Sequence, residues 1–120
     1  MQLKIGSKDV KLKFGMKFCR ELDKVYRVDY QGLEFGMGVN LAFMNLNQSN
    51  PVALAEVVKA ATAHEGYSTD DIDDAIERYA EKEGDLSTLF SKVQEEMGKS
   101  ETVKHTLESF KKAAQEAPQE

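Results

Sequence analysis

The stretch from Leu33 to Asn47, LEFGMGVNLAFMNLN, constrains this chain more than any other. It holds no Lys or Arg, and Glu34 is its only acid. Leu33, Met37, Leu41 and Met44 recur at spacings of four, four and three, one face of a helix. Phe35, Val39, Phe43 and Leu46 make a second face. A helix that is apolar on most sides has to be covered, by its own chain or by a partner. The spacing therefore predicts a central helix over 33–47 and leaves two roles open for it. In one it is core, with Met37, Leu41 and Met44 inward; in the other, part of it is a docking face that includes Phe35 and Phe43. Gly36 and Gly38 each weaken such a helix by about 1 kcal/mol relative to alanine. They also let another backbone approach closely. The GMG run is too short for a phosphate-binding glycine loop and follows no evident strand.

The elements around this stretch are short and amphipathic. Residues 2–14 read as a β-hairpin: Leu3 and Ile5, then Val10, Leu12 and Phe14, alternate with polar residues around the turn Gly6-Ser7-Lys8-Asp9. A lone hairpin is marginal in water, so its apolar face must pack, here on the next helix through Phe14, Phe18 and Leu22. Its outer edges carry unpaired backbone groups open to a further strand. A helix follows from Met16 to about Val28, with Phe18, Cys19, Leu22, Val25 and Tyr26 inward. Asn50 caps a helix that starts at Pro51 and buries Leu54, Val57, Val58 and Ala61. Ser68 or Thr69 caps an acidic helix with Ile72, Ala75, Ile76 and Tyr79 on one stripe; Gly84 ends it. A helix from Asp85 carries Leu86, Leu89, Phe90, Val93 and Met97 and stops at Gly98. A last one, capped by Ser100, carries Val103, Leu107, Phe110 and Ala114. The expected fold is mainly α (α+β), an N-terminal hairpin packed on about five to six short helices. Residues 1–116 form one domain and 117–120 a frayed tail.

Chemistry finds little purchase on these residues. Asp70, Asp71, Asp73 and Asp74 invite a calcium loop, but Ile72, Ala75 and Ile76 fall where ligands or the turn glycine belong. Acids in a first helical turn are favoured by the helix dipole in any case. His64 and His105 lack metal-ligand spacing, and Cys19, the one cysteine, sits in line with Phe18 and Leu22 as a structural thiol. No metal, cofactor or enzymatic activity is expected. A single cysteine, no apolar signal core and no run of spanning length point to a reducing cytoplasm and away from the membrane. Charge is uneven: residues 1–30 carry eight basic and four acidic residues, a net of +4, and residues 31–120 carry eight and seventeen, a net of −9. That polarity suits head-to-tail self-association. The basic third lacks the interleaved aromatics of a nucleic-acid groove, so no nucleic-acid partner is expected. What remains is apolar surface: the stripe Val103, Leu107 and Phe110 docks on the core or on a partner.

The order of these segments carries a resemblance. A lysine-rich hairpin runs into FGMKFCRELDKVY, then GLEFGMGVNLAF, then ALAEVVKAATAH and YSTDDIDDAIERY. Over roughly residues 1–115 this resembles the tail assembly chaperones of long-tailed bacteriophages and Gram-positive prophages. The resemblance implies a non-enzymatic protein of the bacterial host cytoplasm. It binds the tape measure protein, helps recruit tail tube protein and is absent from the finished virion. A longer form is often made in that family by ribosomal frameshifting. In the last third of the chain, Met97-Gly98-Lys99 permits the slippery string G-GGA-AAR if Gly98 is encoded by GGA. The alternative to this reading is a small cytoplasmic adaptor that binds one host or phage protein.

Overall fold

The computed structural model describes residues 1–31 and 33–116, apart from the side chains of residues 28–30, 33–36 and 114–116. Strands β1 (Gln2–Ile5) and β2 (Lys8–Lys11) pair antiparallel with Leu3 opposite Val10. The turn between them places Gly6 at φ 64°, a left-handed conformation that glycine adopts without a Cβ clash. As the alternation requires, Leu3, Ile5, Val10 and Leu12 are buried and Lys4 and Lys11 are exposed. Phe14 stacks edge-on against Phe18, with ring centroids 5.0 Å apart, which ties the end of the hairpin to α1 (Met16–Val25). Phe18 and Leu22 are fully buried there. The helix against which β1 itself lies is α4, a contact the pattern does not reveal.

Helix α1 ends three residues earlier than the periodicity predicts, because a second hairpin begins. Strands β3 (Arg27–Tyr30) and β4 (Leu33–Gly36) pair antiparallel with Val28 opposite Phe35. The start of the predicted 33–47 helix is therefore a strand. Its period is two, not 3.6: Val28, Tyr30, Leu33 and Phe35 alternate with Asp29 and Glu34 across Gln31-Gly32, and Gln31 adopts φ 52°. The helical part, α2, runs only from Gly38 to Asn47.

The face of α2 that turns inward is set at Gly38. A Cβ there would lie 2.5 Å from the backbone N of Asp23 and 2.5 Å from the backbone C of Leu22, so the two helices cross in backbone contact. With Gly38 against α1, Ala42 and Leu46 follow it inward at steps of four, flanked by Val39 and Phe43. Met37 and Leu41 are then only half-buried and Met44 is exposed. The expectation that Met37, Leu41 and Met44 form the core is thus corrected: the core takes the opposite face.

The most buried helix is α3 (Pro51–Ala61), where Leu54, Val57, Val58 and Ala61 are fully enclosed. Asn50 Oδ1 accepts from Val52 N at 2.9 Å and Ala53 N at 3.3 Å, with Pro51 next to it supplying no unmet donor. Helix α4 (Thr69–Glu83) opens on a reciprocal cap, Asp71 N to Ser68 Oγ at 3.1 Å and Ser68 N to Asp71 Oδ2 at 3.2 Å. It closes on Gly84 at φ 93°. Helix α5 (Ser87–Lys99) buries Leu89, Phe90, Val93 and Met97, and α6 (Lys104–Glu116) lies over α2 and α5. Gly98 lies inside the last turn of α5 rather than beyond it. Among the described residues, six helices and an N-terminal hairpin give the expected mainly helical α+β fold, with β3–β4 as an addition.

Candidate docking surfaces

The apolar stripe that ends in α6, one of two stretches the sequence offers either to the core or to a partner, is occupied. Val103 and Leu107 are 1% and 2% exposed and belong to the main core. Phe43 is buried too, with Lys111 Nζ of α6 5.0 Å from its ring centroid, a cation–π contact that helps seat α6 on α2. The reason is geometric: once α2 turns Val39, Phe43 and Leu46 inward, they need a cover, and the narrow stripe of α6 supplies it. Val103, Leu107 and Phe43 thus lie in the interior of this chain. Phe110 is half-buried at the rim. Phe35 falls at a register position in β4, and its side chain lies outside the described residues.

The reactive groups do not converge. Among the described residues, no three His, Cys, Asp or Glu side chains gather as a metal site would require. Cys19 is half-buried, and desolvation, reinforced by the Asp23 charge, pushes its thiol pKa up, away from a nucleophilic thiolate. Asp23 itself has a structural task. Its Oδ1 accepts from Gly38 N at 2.9 Å and so caps α2 from a neighbouring helix, where Met37 offers no side-chain cap.

Two surface grooves do present ordered walls. The first, about 260 Å³, lies between α1 and α3. Lys17, Glu21 and Lys24 line one side and Glu56 and Lys59 the other. Two of these charges satisfy each other: Lys24 Nζ lies 2.9 Å from Glu21 and holds that carboxyl below its ordinary pKa; Lys59 donates instead to Thr69 Oγ1 at 2.7 Å. Exposed Val25 lies on its margin. The second groove, about 380 Å³, runs between β1 and α4. Gln2, Leu3 and Lys4 form its strand wall, and Ala75, Arg78, Tyr79 and Lys82 line the helix wall at one-face spacing. Sequence reading missed this groove because nothing in the pattern says which helix lies beside β1, although the open strand edge is implied by a two-stranded sheet.

Outside the grooves, Met16, Val52 and Met44 are large apolar side chains left in solvent, with Val52 67% exposed. Single exposed residues of this kind are ordinary. No helix of the described residues is long and apolar enough to cross a membrane. A family model described as phage tail assembly chaperone protein, TAC, matches residues 2–112, from β1 into α6. No curated protein and no solved structure matches the chain.

Proposed function

The chain belongs to the family of phage tail assembly chaperone proteins, and from that premise we propose that it binds the tape measure protein, keeps it soluble, and releases it as tail tube subunits assemble around it. The observation that carries this reading is the extent of the family match, which takes in both hairpins, helices α1 to α5 and most of α6. A tape measure chain exposes apolar stripes until the tube encloses it. Many copies of a small chaperone cover those stripes, each weakly, and avidity along one chain holds the complex. Weak single contacts also allow release. The net charge of −9 over residues 31–120 keeps such a coated chain from precipitating.

In this reading the protein works without catalysis, in the cytoplasm of the bacterial host, and leaves before the virion is complete. Self-association lines the copies up, aided by the +4 and −9 halves. In this reading the half-buried Phe110 touches the partner, and Val103 and Leu107 act by holding α6 in position. Phe35 contributes from β4. The test is co-expression with the tape measure protein encoded in the same tail gene cluster. The proposal predicts that the tape measure protein becomes soluble and co-purifies with this chain. A tape measure protein that stays insoluble, or purifies free of the chain, contradicts it.

A further inference from the structure

Past the end of β2, Lys13 N donates to the carbonyl of Ala61 at 2.9 Å, which ties the hairpin to the end of α3. On the β1 side, the register decides which groups are left over. Leu3 pairs with Val10, Ile5 with Lys8, and Leu12 N donates to Met1 O at 3.1 Å. The odd-numbered residues of β1 thus turn their backbone groups toward β2, and Gln2 and Lys4 turn theirs away from it. That edge faces the 380 Å³ groove, whose far wall is α4.

The walls specify what fits. Ala75 and the half-buried Tyr79 supply an apolar floor. Lys4 and Lys82 stand exposed at the two lips, and no salt bridge engages either among the described residues. Arg78 is held by Asp74 at 2.9 Å, and among the described residues Glu83 is the only acid lining the groove. A helix brings no backbone groups to pair with Gln2 and Lys4, whereas an extended segment does. A second copy paired through its own β1 would set Lys4 beside Lys4, and like charges across a strand pair are destabilising.

We propose that this groove accepts one extended segment of a partner polypeptide by strand addition to β1, a segment in which apolar and acidic side chains alternate. Its backbone pairs with Gln2 and Lys4, its apolar side chains lie on Ala75 and Tyr79, and its acids meet Lys4 and Lys82. The inference rests on the chaperone reading only for whose chain supplies the strand.

The test is a titration of the ¹⁵N-labelled full chain with a capped heptapeptide alternating Glu with Val and Phe, beside a control in which Lys replaces each Glu. Amide resonances of Gln2 and Lys4 and those around Tyr79 are expected to shift. Hydrogen exchange at Gln2 and Lys4 should slow by about tenfold or more, while Leu3 and Ile5, already paired, stay unchanged. Lys4→Pro removes an outward N–H at an edge position that tolerates proline, and binding should be lost. Lys82→Glu leaves the strand untouched and should weaken binding by about threefold to tenfold, the scale of one reversed exposed charge pair. The proposal is overturned if the shifts map elsewhere, if the lysine peptide binds equally well, or if Lys4→Pro binds like the native chain. Broadening of Gln2 and Lys4 that follows protein concentration without peptide also overturns it, since a second copy would then be the occupant. Each of these results leaves the co-expression outcome free to go either way, so the groove and the chaperone reading fail separately.

Discussion

Gly38 is the residue on which the packing of α1 and α2 turns. A methyl group there would meet backbone atoms at 2.5 Å, and backbone cannot rotate aside. Gly38→Ala should therefore destabilise the protein by about 1–3 kcal/mol, despite alanine's better helix propensity. Chemical denaturation measures it; an unchanged or raised midpoint would mean that the crossing is looser than described. Asp23 makes the companion contact, and Asp23→Ala should cost about 0.5–2 kcal/mol, the range for loss of a helix cap. Asp23→Asn keeps an acceptor and should recover most of that loss. Cys19 should react with alkylating reagents at neutral pH more slowly than a free thiol, since its burial favours the protonated form. At this scale the sequence was informative about type and silent about partner. A small residue near position 38 announced a close approach, and nothing announced that Asp23, fifteen positions earlier, would accept its N–H.

At the scale of elements, the helices were legible and the central stretch was not. Pro51–Ala61 carried its cap and its apolar spacing in the sequence, and the structure uses both. Residues 33–47 satisfy a helical period throughout, yet residues 27–36 also satisfy a period of two around Gln31-Gly32, and the local turn prevailed over the longer helix. A short apolar run cannot separate the two by periodicity alone. The same ambiguity misdirected the choice of face, because starting the helix at Gly38 fixes its rotation against α1. A paired substitution tests the corrected assignment. Leu46→Ala, at a site 1% exposed, should cost about 2–5 kcal/mol. Met44→Ala, exposed, should stay within about 0.5 kcal/mol. The reverse order would restore the face that the spacing first suggested. The stripe of α6 was also read correctly as apolar; its destination depended on α2 turning Phe43 toward it, which no local pattern contains.

For the whole molecule, charge and the placement of α6 set the expectations. Self-association aided by the +4 and −9 halves should weaken as salt rises, since exposed charges are screened beyond a Debye length. Sedimentation across an ionic-strength series reads this directly, and a monomer at high concentration and low salt would count against it. A slip at Met97-Gly98-Lys99 would fall in the last turn of α5 and replace α6 entirely. The longer product would then have to cover the core with new residues where Val103 and Leu107 now lie, so its extension should begin with an apolar stripe. Any codon other than GGA at Gly98 removes that site. The central claim, that this chain coats the tape measure protein until the tube takes its place, is tested most directly by native mass spectrometry of tape measure protein drawn from cells that make both proteins but no tube subunit. The account predicts several copies of this chain on each tape measure molecule, released when purified tube subunits are added; a tape measure protein that carries none, or copies that persist in the finished tail, would contradict it.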